Sequence, residues 1–315
     1  MCAKKIAAIL SDYDGTLCPT GSVKNKAGTI PEELEQVLWS ISRQIPVCII
    51  SSKDYHFLHP RTKFARVLSC IMGIETISLR IGKRLTNEIQ GTKIGSSRNN
   101  NEETFSNISY GIRKRRLLPK SRKVLQVNSE LLSRLAEDIE LEFKHKVVVE
   151  RKFTSERQYL AGITIDYRHL KDWRSYKKIL EPALKEMIKE HQSTSTVSTP
   201  VSTPDLHLLT YSSHPFMDVY ALYCDKGMAY DFVTSKVLKL TNCGGGQARS
   251  TLYLGDSDND NPAFERADIS MGINSDERLK PKLNSEYRIN FDQLHKFLNK
   301  LLHNRFVFSD DLIYH

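Results

Sequence analysis

The chain has 315 residues, 40% apolar and 26% charged, which is the composition of a soluble globular protein long enough for one large domain or two modest ones. Forty-six Lys and Arg against 37 Asp and Glu leave a net charge of +9, compatible with nucleic acid, an acidic membrane or small anionic substrates without choosing among them. Six cysteines without a CxxC pair argue against a disulfide framework or zinc site, no apolar run approaches the ~20 residues of a membrane helix, and the run after Lys4 and Lys5 meets Asp12 too soon for a signal peptide. A cytoplasmic protein with reduced thiols is expected.

In chain order, the apolar "IAAIL" is the first strand, and it stops at Asp12 and Asp14 in "SDYDGTL". Strand interiors are poor places for carboxylates, so both aspartates are expected at the strand's carboxyl end, where open α/β sheets bind ligands. Pro31 then opens a helix with Leu34, Val37, Leu38 and Ile41 at helical spacing and acids in its first turn. "VCII" at 47–50 is the next buried strand, ending in Ser51. This β-α-β order begins a doubly wound, mostly parallel sheet.

The middle of the chain differs in character. The polar stretch 95–107 and the Ser/Thr/Pro tract 191–204 read as exposed loops or disordered segments. Between them "KVVVERKF" and "LAGITIDYR" read as paired strands and "WRSYKKILEPALKEMIKEH" as an amphipathic helix, a small α+β unit. Downstream, "STLYLGDSDNDNPAF" again runs a strand into carboxylates, "ADISMGIN" supplies another strand, and "FDQLHKFLNKLLH" is a helix with one apolar face. The expected architecture is a Rossmann-like α/β core of 1–84 and 216–315 with an inserted α+β cap of 85–215.

Two carboxylates at i and i+2 on a strand end suit phosphoryl transfer, one attacking phosphorus and the other donating a proton to the leaving oxygen. Such a site also needs a magnesium ion and a fixed cation against the phosphate charge. "GDSDND" offers Asp256 and Asp260 as hard oxygen ligands, "DKG" offers Lys226 at a helix start, and Ser51 offers a hydroxyl to a phosphate oxygen.

The order "DYDGTL", strand ending in Ser, "KG" and "GDSDND" resembles the four motifs of the haloacid dehalogenase superfamily of phosphatases. The resemblance implies that Asp12 is phosphorylated, that Asp14 is the acid and base, and that Ser51 and Lys226 hold the phosphoryl group. It implies Mg2+ held by the Asp12 carboxylate, the Asp14 backbone carbonyl and Asp256, with Asp260 in support. An insertion between the Ser51 and Lys226 motifs is where the sugar-phosphatase branch carries its large cap. Within that branch the chain is most similar to the trehalose-6-phosphate phosphatases. "VERK" at 149–152 matches that family's "VExK" and "DYR" at 166–168 its "HYR", while Asp218 stands eight residues before Lys226 where the family has Glu. The likeness implies substrate contacts from Glu150, Lys152, Arg168 and Asp218, and from Ser52 and Lys53 after Ser51. Ser51-Ser52-Lys53 departs from the family's Ser-Gly-Arg toward mannosyl-3-phosphoglycerate phosphatase, which leaves the sugar open.

Each residue alone has a plainer reading: Asp12 and Asp14 as a strand-to-turn cap, Ser51 as a helix cap, Lys226 as a surface lysine, and Glu150, Lys152 and Arg168 as cross-strand charge pairs. The motifs occurring together, in order, favour the enzyme. The basic run "IRKRRLLPKSRK" at 112–123 is the one feature that suggests nucleic acid, but it lacks the aromatics that stack bases and reads as an ordinary cap segment with a solvated face. A catalytically silent binding protein is disfavoured because all core motif residues are present. The expectation is a magnesium-dependent sugar-phosphate phosphatase with a small-molecule partner and neither nucleic acid nor membrane.

Overall fold

The computed structural model describes residues 4–19, 28–81, 110–193, 205–212, 214–240, 249–275 and 281–314. The expected loop at 95–107 and most of the tract at 191–204 therefore lie outside the described residues.

The first half of the large sheet is built from β1 (Lys4–Ser11), β2 (Val47–Ile50), β3 (Val67–Cys70), β4 (Glu75–Ile81) and β5 (Tyr110–Leu117), with α1 (Glu32–Ser42) and the short α2 (Tyr55–Leu58) between the early strands. A second unit follows: α3 (Ser121–Glu142), β6 (Val148–Phe153), β7 (Leu160–Asp166), α4 (Trp173–Ser193), β8 (His207–Thr210) and β9 (Phe216–Tyr220). The chain then returns through α5 (Lys226–Asp231), β10 (Arg249–Gly255), α6 (Asn261–Phe264), β11 (Ile269–Asn274), β12 (Tyr287–Asn290), α7 (Phe291–His303), β13 (Val307–Phe308) and α8 (Asp311–Tyr314).

The large sheet runs β12-β11-β10-β1-β2-β3-β4-β5, with β13 added beside the start of β1. From β12 to β3 every pairing is parallel, and β4 and β5 add an antiparallel edge. β1 is central, between β10 and β2, and its Ile6, Ala8, Ile9 and Leu10 are buried on both faces, as a continuous apolar run in a parallel sheet requires. α7 packs with α1 on this sheet and buries Leu294, Phe297, Leu298 and Leu301.

The second sheet is antiparallel, in the order β6-β7-β9-β8. α3 packs on β6 and β7 and also touches α4. Strand alternation sends Arg151 toward α3, where it pairs with Glu140 at 2.6 Å, and sends Glu150 and Lys152 to the opposite face. Cross-strand register places Glu150, Thr164 and Asp218 side by side on that opposite face.

Sheet membership differs from the expected boundaries of the inserted unit, 85–215, at both ends. Tyr110–Leu117 belongs to the large sheet because it pairs with β4, and Phe216–Tyr220 belongs to the small one because it pairs with β7. The basic run 112–123 is accordingly split. Its first part is an edge strand of the core, where Lys and Arg are at home because an edge must not invite pairing, and only its last residues begin α3.

The described cysteines Cys18, Cys48, Cys70 and Cys224 are free and buried. Among the described residues no helix is long and apolar enough to cross a membrane.

Candidate active site

The carboxyl ends of β1, β2 and β10 are adjacent because those strands pair in parallel, so the residues that follow them meet at one edge of the sheet. Asp12 follows β1 directly and is 5% exposed. Asp256 follows β10, and Asp260 closes the short turn Asp258–Asp260 beyond it. Carboxylate oxygens of Asp12, Asp256 and Asp260 all lie within 4.8 Å of one another. Lys226, the first residue of α5, joins them fully buried, with Nζ 2.9 Å from Asp12 Oδ2 and 2.8 Å from Asp260 Oδ1.

Crowding of this kind shifts protonation. Burial first, and then the Asp260 charge, push Asp12 up to about 7 against the opposing pull of Lys226. Burial likewise raises Asp256, aided by Asp12 and Asp260. On Lys226 burial works downward, but Asp12 and Asp260 overcome it and hold the ammonium above its ordinary value. Three carboxylates facing one ammonium make a donor set suited to a hard divalent cation, which would hold all three ionised.

The three do not have the same freedom to bind an ion. Asp260 Oδ1 accepts from Lys226 and from Tyr253 OH at 2.7 Å, and its Oδ2 accepts the backbone N–H groups of Asp256 and Ser257 at 3.1 Å. Asp260 is thus spent on orienting the loop, whereas Asp256 Oδ1 accepts one bond from Thr16 at 3.0 Å. The hydroxyls of Tyr253 and Thr16 went unread in the sequence, because a strand tyrosine and a turn threonine have ordinary structural uses.

Gly15 makes the approach of the two loops possible. Its φ is +79°, and a Cβ there would sit 1.9 Å from Asp256 Oδ2. Gly15→Ala should therefore displace Asp256, add roughly 1–2 kcal/mol of backbone strain and sharply reduce turnover, which paired thermal melts and activity assays would detect. Unchanged activity would mean that Asp256 is not needed where it stands.

Asp14 lies beside this cluster under the second sheet. Burial raises its pKa, Lys53 opposes the shift and Glu150 adds to it, with Arg168 and Lys226 also in range. Ser51 follows β2 and is buried, and its Oγ accepts from the Lys53 N–H at 3.2 Å. Ser52 is half-buried between them. Lys53 Nζ reaches across to Glu150 with bonds of 3.0 and 2.8 Å. Burial works to lower Lys53, but Asp14 and Glu150 raise it further, so it is a cation shared between the two sheets.

Lys152 and Asp218 form a buried ion pair of 2.8 Å, each 1% exposed. Asp218 also accepts from Thr164, and from Tyr211 OH at 2.6 Å, while Lys152 lies 3.4 Å from Tyr220 OH. Their first partners are therefore each other. Arg168 is exposed and pairs with Asp166 at 2.7 Å, within electrostatic range of Asp14. Sequence reasoning missed Ser212 and His214. Ser212 donates from N–H and Oγ to Asp258 Oδ2 at 3.1 and 2.8 Å, tying the small unit to the Asp256 loop. His214 is held below its ordinary pKa by burial and faces Asp258, Asp260, Lys226 and Arg168.

No family model and no curated protein matches the chain. Solved structures do. The C-terminal domain of the C. albicans trehalose-6-phosphate phosphatase is 17% identical with a TM-score of 0.59, over 95% of this chain and 93% of that one. A trehalose-6-phosphate phosphatase related protein is 14% identical with a TM-score of 0.56, over 94% and 97%. A haloacid dehalogenase-like hydrolase from Bacteroides thetaiotaomicron is 13% identical with a TM-score of 0.55, over 94% and 100%. What such likeness establishes is the architecture, a mainly parallel sheet with a separate antiparallel unit inserted in the chain, so the protein has the haloacid dehalogenase-like fold.

Proposed function

We propose that the protein is a magnesium-dependent phosphatase of small, soluble sugar phosphates in the cytoplasm, with trehalose 6-phosphate as the first candidate substrate. The observation that carries this reading is the joint placement of Asp12, Lys226, Asp256 and Asp260 on one sheet edge. Asp12 and Asp256 would hold the metal by their carboxylates and Asp14 by its backbone carbonyl, with Asp260 orienting Asp256. Magnesium, when bound, offsets the charge of nucleophile and phosphate and polarises the phosphoryl group.

Lys226 bonds Asp12 Oδ2, so attack is assigned to the other oxygen. That oxygen bonds to phosphorus as the ester P–O bond breaks, and Asp14 gives its proton to the departing sugar oxygen. Asp14 then takes a proton from water, the water oxygen attacks the phospho-Asp12 group, and inorganic phosphate leaves with Asp12 restored. The upward shift of Asp14 suits a carboxylic acid that must carry this proton. Lys226 and Ser51 hold the phosphoryl oxygens. Glu150, Lys53 and Arg168 face the sugar from the cap side, and the Lys152–Asp218 pair fixes the surface they stand on.

The deciding experiment is a phosphate-release screen with magnesium over trehalose 6-phosphate, mannosyl-3-phosphoglycerate, sucrose 6-phosphate and simple hexose phosphates. Release from none of them would overturn the reading. Chelation should abolish activity and magnesium restore it, and turnover persisting in excess chelator would refute the metal site. Asp14→Asn should slow sugar phosphates by about 10²–10⁴-fold and an activated aryl phosphate far less, because only the sugar oxygen needs a proton on leaving. Equal losses on both would remove Asp14 from the acid role.

A further inference from the structure

Where the chain leaves the large sheet for the cap, it lines a cleft of about 780 Å³. The cleft is flanked by Arg115 of β5, Lys120 of the connecting turn, Ser121, Arg122 and Lys123 of the first turn of α3, and Glu156 of the β6–β7 loop. None of these belongs to the aspartate centre. Four cations face a single carboxylate, and that carboxylate already accepts from Arg115 Nη1.

The helix that opens onto the cleft is 22 residues long and unusual at its start. Its N-cap residue, Lys120, gives no side-chain acceptor to the first N–H groups, and its first turn contains no acidic residue. The Ser121 N–H is taken by the Leu118 carbonyl at 3.1 Å, and beyond it the helix supplies no capping side chain or acidic residue of its own to the positive end of its dipole.

Two buried donors supply an independent observation. Ser121 is 4% exposed, yet its hydroxyl has no hydrogen-bond partner. Arg115 Nη2 is buried and likewise unpartnered, although the same guanidinium bonds Glu75 and Glu156 through its other nitrogens. Buried polar groups are ordinarily satisfied, and leaving one unpaired is destabilising. Both groups are donors in a positively charged hollow, so the ligand that satisfies them is an anion with several oxygens.

We infer that this cleft is a second phosphate-binding site, separate from the aspartate centre, that takes inorganic phosphate or the phosphate group of a phosphomonoester. Arg115 Nη2, Ser121 Oγ and the N–H groups of Arg122 and Lys123 hold its oxygens, and the side chains of Lys120, Arg122 and Lys123 supply charge. The basic run that continues from β5 into α3 thereby gains a role. Because Arg115 also bonds Glu75, which accepts from Ser155 N–H at 2.7 Å, an anion in the cleft bears on the joint that seats the cap.

The test is calorimetric titration of the full chain with inorganic phosphate and, separately, glucose 6-phosphate, in excess chelator at about 0.15 M salt, where exposed charges are largely screened. Without a cation the carboxylates of the aspartate centre repel anions, so the result does not depend on what the protein hydrolyses. One anion should bind per chain, and Arg122→Gln with Lys123→Gln, both at exposed positions, should weaken it about tenfold or more. Ser121→Ala should weaken it several-fold through the lost hydroxyl. Binding of phosphate alone would assign the site to the free ion, and binding of both to the phosphate group on any small carrier. Heat from neither, or binding that these variants leave unchanged, overturns the inference. So does tight, steeply salt-dependent binding of an oligonucleotide while both small anions stay inert.

Discussion

Asp12→Asn is expected to reduce phosphate release on every substrate by about 10⁴-fold or more, because the amide cannot attack phosphorus and no other group stands in the same place. The substitution preserves size, and Lys226 keeps Asp260 as a partner at 2.8 Å, so the fold should survive. The check pairs turnover on sugar and aryl phosphates with circular dichroism, and adds recovery of labelled phosphate from the quenched wild-type protein. Label on any residue other than Asp12 would sink the assignment, as would a variant that still turns over.

The largest effect on stability is expected from Lys152→Ala. Asp218 would be left as an uncompensated buried charge, and breaking a pair of that kind costs about 3–5 kcal/mol. Urea unfolding at pH 7 measures it. Burial works to raise Asp218, but Lys152 and the hydroxyls of Thr164 and Tyr211 overcome it and hold the carboxyl below its ordinary value. Its stabilisation is therefore full above roughly pH 4, near the unfolded carboxyl pKa, and is lost as pH falls through the lower native value. In the variant burial is no longer opposed by Lys152, so the Asp218 carboxyl rises and the stability deficit against the wild type should shrink as pH falls and that buried charge is protonated. Glu150→Ala is the contrast. Its pair with Lys53 is 41% exposed on the Glu side, so stability should change by less than about 1 kcal/mol. Hydrolysis of the sugar phosphate should fall by roughly 1–3 kcal/mol of transition-state stabilisation while a small aryl phosphate scarcely responds. A Lys152→Ala protein that unfolds like the wild type would show that the pair carries no stability.

The parts of the fold that could be read in advance are those in which one residue class does one job. β1, β2 and β10 each carry a buried apolar stretch shortly before Asp12, Ser51 and Asp256, so pattern alone located them. β3 and β4 escaped because the turn between them uses Ile71 and Met72 at φ values of 52° and 54°, and apolar side chains give no turn signal. β5 escaped because an edge strand rich in Arg and Lys resembles a solvated surface. Sheet membership departs from the boundary at 215 because β9 pairs with β7, on the far side of α4, and such partners leave no trace in local composition. At the site, the four charged motif groups were legible, but the burial of Lys152 was not. Its partner Asp218 is 66 residues away and reaches it only through the register of three strands.

The position of β1 also governs how the protein comes into being. Its residues Lys5 to Ser11 pair on one side with Arg249 to Leu254, so half of the ladder around this central strand waits for the last quarter of the chain. Until β10 emerges during synthesis, the apolar stretch Ile6–Leu10 of β1 presents an open edge to other chains. Its closure is a late, long-range event of the slow kind, and it brings Asp256 and Asp260 with it. Maturation of the core and assembly of the aspartate cluster are thus a single step, and a chain cut short before that strand lacks Asp256 and Asp260 and is expected to aggregate.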